Sequence, residues 1–287
     1  MPQFATFWAG RLDALERACL ASFHRQGHEV VLYSYEDRIP SLFYDIRPAS
    51  EILDESYLSQ FRTGGRPNVA AFSDAFRIMM FTKTPYIWMD CDLFLKGIFS
   101  VTNDDDIFIR EGEKNIIAAL LRISDKQIAD RALKMVLRLA GRDLPWAATQ
   151  NMIPRAMKAE GYQGKISNAS TYNPVPADEF YKLLLPEYRE ECAELCSRAE
   201  TVHLYNNILQ KVGFFKDLLP PEGSYLAELV SPYVEEAGFI GTYPADTVRA
   251  MVEGWSLRFS GRSLGLGAVL RRVGPAAITT LRRKQWA

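Results

Sequence analysis

Apolar residues cluster in short runs and helical stripes that alternate along the first third of the chain. Phe4-Ala5-Thr6-Phe7-Trp8 has the length of a buried strand, and Gly10 breaks it. Leu12, Leu15, Cys19, Leu20 and Phe23 then recur at helical spacing, with Gly27 in the place of a helix C-terminal glycine. Val30-Val31-Leu32-Tyr33 is a second strand. Strand, helix, strand in this order predicts a βαβ unit and a parallel sheet. Pro40 to Pro67 reads as loop-rich, with a short helix near Glu51 to Leu58 and a turn at Gly64-Gly65. Val69, Phe72, Phe76 and Met79 or Met80 predict a helix over 69–82, stopped by Pro85. Tyr86-Ile87-Trp88-Met89 is a buried strand, and Ile107–Ile109 and Ile116–Leu121 read as two more. Further helices are expected over 124–140 and 152–159. Pro174, Pro176 and Pro186 punctuate a loop-rich stretch, and Thr201 to Asn206 begins as a strand or turn that leads into a helix. Without repeats or a clear linker, the expectation is one α/β domain over 1–253 with a mostly parallel central sheet, and an extension over 254–287.

Charge sharpens the division at the C-terminus. The chain has 287 residues and a formal net charge of −1. Glu253 is the last acidic residue; Arg258, Arg262, Arg271, Arg272, Arg282, Arg283 and Lys284 follow it unopposed. Leu264, Leu266, Val269 and Leu270, then Ile278 and Leu281, alternate with these arginines, so the tail reads as short basic amphipathic helices broken at Gly274-Pro275. Such helices lie on anionic membranes or pack on protein, and a local basic tail on an acidic body argues against general nucleic-acid binding. No segment has the ~20 apolar residues that cross a bilayer, and no signal peptide is recognisable. Cys19, Cys91, Cys192 and Cys196 lack zinc-finger spacing and read as reduced, packed thiols. The expected location is therefore cytoplasmic, with the tail either peripheral on the inner face of the cell membrane or packed on the domain or another subunit.

The chemistry concentrates at Asp90-Cys91-Asp92, where the strand 86–89 ends. Ligands of open α/β sheets bind beyond the carboxyl ends of the strands. Residues i and i+2 of an extended chain face the same side, so the two carboxylates converge. Their repulsion is relieved by a hard divalent ion, whose remaining ligands a diphosphate can supply. One turn of the preceding helix carries Ser73, Asp74 and Arg77 on an otherwise apolar surface; the plain alternative is a helix-face salt bridge.

Phe72-Ser73-Asp74-Ala75-Phe76-Arg77 followed by Tyr86-Ile87-Trp88-Met89-Asp90-Cys91-Asp92 resembles the DXD-containing sugar-binding region of GT-A glycosyltransferases. The resemblance is to the family 32 type, which includes bacterial capsule and lipopolysaccharide sugar transferases. Phe7-Trp8-Ala9-Gly10, Leu15-Glu16-Arg17, Gly27-His28-Glu29-Val30 and His203-Leu204-Tyr205-Asn206-Asn207 extend it. It implies a GT-A, Rossmann-like fold and a metal-dependent hexosyltransferase that uses a nucleotide-sugar donor, UDP-sugar favoured, and acts with retention. The acceptor would be a saccharide or lipid-linked saccharide, in surface polysaccharide or glycolipid synthesis. By the same resemblance Asp90 and Asp92 would hold Mn²⁺ or Mg²⁺, with His203 a metal or phosphate ligand. Ser73, Asp74, Arg77 and Asp90 would bind the donor sugar and its phosphate side, Asn206 would contact phosphate, and Trp8 would stack on the base. Gln150 is the candidate polar group near the anomeric carbon. The chain departs from the pattern at Thr84-Pro85, where relatives carry Gly-Gly, and at Gln150-Asn151, where many carry Gly-Pro. Two other readings compete: an inactive sugar-transferase relative acting as a scaffold, and a DxD phosphatase, which would place its acidic strand first in the domain.

Overall fold

The computed structural model of the chain describes residues 2–36, 43–111, 115–145 and 147–259. β1 (Gln3–Phe7), α1 (Ala14–Arg25) and β2 (Glu29–Ser34) form the expected strand-helix-strand unit. β1 and β2 pair in parallel with Phe4 opposite Val30, and β3 (Asp45–Pro48) adds in parallel to β2. The single helix expected near 51–58 is instead two 3₁₀ turns, Ala49–Glu51 and Glu55–Ser59. Asp54 separates them, because its side chain accepts the Ser56 N–H at 2.9 Å and starts the second turn afresh. β4 (Arg62–Thr63) and β5 (Arg66–Pro67) make a tight hairpin. Gly64 and Gly65 supply its positive φ angles, 60° and 73°, which residues with a Cβ avoid.

α2 (Val69–Lys83) starts at Asn68, whose side chain accepts the Ala71 N–H at 3.0 Å. β6 (Ile87–Met89) pairs in parallel with the other side of β1. β7 (Leu93–Leu95) then leaves the sheet, and β8 (Ile107–Glu111) and β9 (Asn115–Arg122) return to it. The six-stranded sheet has the order β3-β2-β1-β6-β9-β8, and within it β9 runs against the other five. The fold is thus α/β with a mostly parallel central sheet, as the sequence implied. α3 (Lys126–Leu137) is shorter than its apolar pattern because Asp125 caps it, accepting the Gln127 N–H at 2.7 Å. α4 (Met152–Ala159) matches its expected span. The proline-punctuated stretch folds into the short helices α5 (Ala169–Tyr172), α6 (Tyr181–Leu184) and α7 (Arg189–Leu195). β10 (Thr201–His203) pairs antiparallel with β7, His203 opposite Leu93. α8 (Asn206–Val212), β11 (Leu218–Leu219), α9 (Tyr225–Val230), α10 (Val234–Ala237), β12 (Gly241–Thr242) and α11 (Ala245–Phe259) follow.

Alternation along the strands builds the core on both sheet faces. Ala5, Phe7, Val31, Tyr33, Trp88 and Leu121 pack with α2, α3 and α4. Phe4, Val30, Leu32, Ile87 and Met89 face the other way, against Leu20 and Phe23 of α1. A third cluster joins Leu15, Ala18 and Cys19 of α1 to Leu226, Val230 and Val248 in the C-terminal helices. Each such large side chain contributes ~1.5–3 kcal/mol by leaving water. All four cysteines are buried free thiols. α11 runs through Gly254, the boundary drawn from the sequence. The basic amphipathic tail from Arg262 to Lys284 lies outside the described residues. No described helix is long and apolar enough to cross a membrane.

Candidate functional site

Two strands bring the acidic pair and a histidine together at the carboxyl end of β6. Asp90 follows β6 directly, and its main-chain N–H is held by Ala119 O at 2.7 Å. The turn closes with Leu93 N–H donating to Asp90 O at 3.0 Å, which leads the chain into β7. Because β10 pairs with β7, His203 arrives beside Asp92, its Nε2 3.3 Å from Asp92 Oδ2. One ligand atom from each of Asp90, Asp92 and His203 lies within 4.8 Å of the others. Two carboxylates and an imidazole suit a divalent ion that accepts both oxygen and nitrogen, with ligand bonds of ~2.0–2.6 Å. The donor set therefore fits a metal, without selecting which.

The surroundings orient these ligands. Asp90 Oδ1 accepts the Trp88 indole N–H at 2.7 Å and lies 3.4 Å from Arg77 Nη1, so Oδ2 is the oxygen left for an ion. Burial pushes the Asp90 carboxyl above its usual range; Arg77 opposes this and Asp92 adds to it. Burial acts on Asp92 in the same direction, but the charge and hydrogen bond of His203 and the Asn206 main-chain N–H outweigh it, so Asp92 is held low. That N–H donates to Asp92 Oδ2 at 2.6 Å. It points there because Tyr205 adopts a left-handed conformation, φ 56° and ψ 54°, which turns the chain sharply after β10. A non-glycine residue in this region carries on the order of 1–2 kcal/mol of strain. Tyr205 is held by its hydroxyl, which donates to Asn173 Oδ1 at 2.9 Å, and by ring contact with His203 at 4.3 Å between centroids.

Behind the triad, Arg77 is buried and committed. Its guanidinium lies 3.5 Å from Asp74 Oδ1, donates to Ser73 Oγ at 3.1 Å and to Ala118 O, and stacks 4.7 Å from the Trp88 ring centre. Asp74 and Arg77 thus form the helix-face pair that the spacing allowed, and the pair also reaches Asp90. Thr149 donates to Asp74 Oδ2 at 2.5 Å from a buried position in the turn before α4. Sequence reading passed over Thr149, which belongs to no motif. Its neighbour Gln150 is exposed.

Trp8 stands just past the end of β1, its indole N–H donating to Arg11 O at 3.1 Å. Lys216 Nζ lies 5.3 Å from the centre of the Trp8 ring, so a cation already occupies one face. Asn206 turns its side chain inward, donating to Glu16 Oε1 at 2.7 Å, while its main chain serves Asp92. Glu16 stands in the Leu15-Glu16-Arg17 block of the resemblance, which implies no role for it. Its signal was present, since a carboxylate between Leu12 and Leu20 breaks the apolar stripe of α1. Burial raises the Glu16 carboxyl, and the ion pair with Lys216 opposes that rise.

No family model matches the chain, and none of the curated proteins compared with it matches. Among solved structures it is similar to the PaToxG glycosyltransferase, at 13% identity and a TM-score of 0.41 over 56% of this chain and 68% of that one. It is also similar to the glycosyltransferase GlyE of Streptococcus pneumoniae TIGR4. The apo form gives 11% identity and a TM-score of 0.42 over 88% of this chain and 62% of that one. A second GlyE structure gives 12% and 0.40 over 89% and 64%. The chain spans less than two thirds of the length of either GlyE chain. Likeness at this level says nothing of donor, acceptor or metal.

Proposed function

We propose that the chain is a metal-dependent glycosyltransferase that moves a hexose from a nucleotide-sugar donor, UDP-sugar favoured, to a saccharide or lipid-linked saccharide. The observation that carries this reading is the convergence of Asp90, Asp92 and His203 at the end of β6, with the buried Asp74–Arg77 pair directly behind them. These three residues hold Mn²⁺ or Mg²⁺; when bound, the ion supplies positive charge for the donor's diphosphate. Trp8, linked to the triad through Lys216, Glu16 and Asn206, offers the base an aromatic face. Asp74, fixed by Thr149 and Arg77, accepts hydrogen bonds from the donor sugar and orients its anomeric carbon. Arg77 acts by holding Asp74 and Asp90, since its own donors are engaged by the protein. The acceptor hydroxyl attacks the anomeric carbon from the face that the diphosphate leaves, its proton passing to the departing diphosphate oxygen as that C–O bond breaks, so that configuration is retained. Gln150, exposed next to Thr149, is the candidate polar group near the anomeric carbon. Surface polysaccharide or glycolipid synthesis, with the basic tail on an anionic membrane, is the setting this reading favours.

Thermal unfolding with Mn²⁺ across a panel of nucleotides and nucleotide sugars tests the proposal. A ligand at about 100 times its dissociation constant stabilises the folded state by ~2.7 kcal/mol. A metal-dependent rise with one nucleotide, lost in Asp92→Asn, is expected. A flat response across the panel with metal present rejects the reading and favours a binding or scaffold protein.

A further inference from the structure

Glu16 is fully buried on the first turn of α1, among Leu15, Cys19 and Leu20. An apolar residue would suit that surface, and a buried carboxylate is costly unless it is paired. Its Oε1 has two partners, Asn206 Nδ2 at 2.7 Å and Lys216 Nζ. Each leads to a different part of the candidate site. The main-chain N–H of Asn206 holds Asp92 at 2.6 Å. Lys216 also pairs with Asp13 Oδ2 at 3.3 Å, and its ammonium lies over Trp8. Two further buried atoms, Glu16 Oε2 and Asn206 Oδ1, have no hydrogen-bond partner among the described residues. Each such atom has lost its water without gaining a partner, so the cluster is a poor way to stabilise a fold. Its geometry makes sense as a brace.

We propose that Glu16 is a positioning residue that sets two walls of the site at once: through Asn206 it fixes the turn that holds Asp92, and through Lys216 it fixes the cation that lies over Trp8. This rests on the metal and nucleotide reading given above. Glu16 touches neither the ion nor the nucleotide; it acts on the groups that do. A partner bonded directly to a metal ligand changes metal affinity by ~10–100-fold when lost, because it fixes the ligand's orientation; Glu16 acts one step further out, through Asn206, so the low end applies. One carboxylate serving both walls also makes them interdependent, so that a change at Trp8 reaches Asp92 through a chain of three hydrogen-bonded or ion-paired groups.

The test compares Glu16→Gln with Val136→Ala, a cavity in the buried face of α3 that lowers stability without touching the cluster. Two quantities are read well below the unfolding midpoint. One is the dissociation constant for Mn²⁺, from the free-ion signal in electron paramagnetic resonance. The other is Trp8 emission, taken as the difference between each protein and its Trp8→Phe counterpart. Glu16→Gln should weaken Mn²⁺ binding about tenfold and shift the Trp8 emission, while Val136→Ala moves neither. No change in Glu16→Gln overturns the proposal, as does an equal change in Val136→Ala. Movement of one readout alone also overturns it, since Glu16 would then serve one wall only. Wild-type protein that takes up no Mn²⁺ overturns it as well. If Glu16→Gln does not fold, Asn206→Ala decides: it cuts the link to Glu16 but keeps the main-chain N–H. Weaker Mn²⁺ binding with unchanged Trp8 emission is then expected, and an unchanged dissociation constant overturns the proposal. Failure of the sugar-transfer reading looks different: Mn²⁺ binds, no nucleotide sugar is consumed, and the Glu16 result stands.

Discussion

Arg77→Met removes the guanidinium that bridges Asp74 to Asp90 of the candidate metal centre. Met keeps much of the length and the apolar stem but carries no charge. In the wild type the side chain is 7% exposed, 3.4 Å from Asp90 and 3.5 Å from Asp74. Removing one member of a buried ion pair costs ~3–5 kcal/mol because its partner is left uncompensated. Asp74 and Asp90 retain 18% and 27% exposure, so water screens them and the lower end applies, about 3 kcal/mol. Ala118 O loses a charged donor, which adds on the order of 1 kcal/mol. Urea unfolding of both proteins without metal should therefore differ by about 3–4 kcal/mol. Mn²⁺ should narrow the difference, because a cation between Asp90 and Asp92 supplies the charge that Arg77 no longer does. A loss below about 1 kcal/mol, within the range of an exposed pair, would refute the argument. So would a difference that Mn²⁺ leaves untouched.

Thr149→Val keeps the shape of the side chain and removes the hydroxyl that donates to Asp74. Transfer should fall about tenfold in kcat/KM, with Thr149→Ser close to wild type; equal activity of the valine variant rejects a role for Thr149. Asp217 gives a test in pH. Burial raises its carboxyl, but the Ala14 N–H, Arg11 and Arg17 outweigh this and hold it below the usual carboxylate range. A depressed pKa contributes stability that is present above the unfolded value and lost as pH falls through the folded one. The difference in unfolding temperature between wild type and Asp217→Asn should be full near neutral pH and shrink below about pH 4. A difference constant down to about pH 3 contradicts it.

The sheet was legible where local pattern decides. The βαβ opening follows from Phe4–Trp8, the stripe of α1 and Val30–Tyr33, because period and length discriminate strand from helix within a few residues. β9 shows the limit. Ile116–Leu121 reads as a strand, but its antiparallel insertion between β6 and β8 depends on partners that its own residues do not name. The site divides in the same way. Asp90 and Asp92 are two residues apart and announce themselves, whereas Thr149 reaches Asp74 across 75 positions as an unremarkable hydroxyl in a turn. Asn206 came from a motif, yet its side chain serves Glu16 and its main chain serves Asp92. A motif records which residue is present and leaves open which of its atoms is used.

The pairing of β7 with β10 has a consequence for when the candidate site is assembled. The Asn206 N–H meets Asp92 across 114 residues of chain. Closing so long a loop is entropically slow, and such contacts form late. A nascent chain that has emerged only as far as β9 carries Asp74, Arg77, Asp90 and Asp92 but neither the imidazole nor the turn that completes their site. On the proposed reading, affinity for an ion would be acquired only when the segment carrying β10 and Asn206 docks. If the triad takes up a metal as proposed, that uptake would report completion of this last step, and an intermediate without β10 would lack the site.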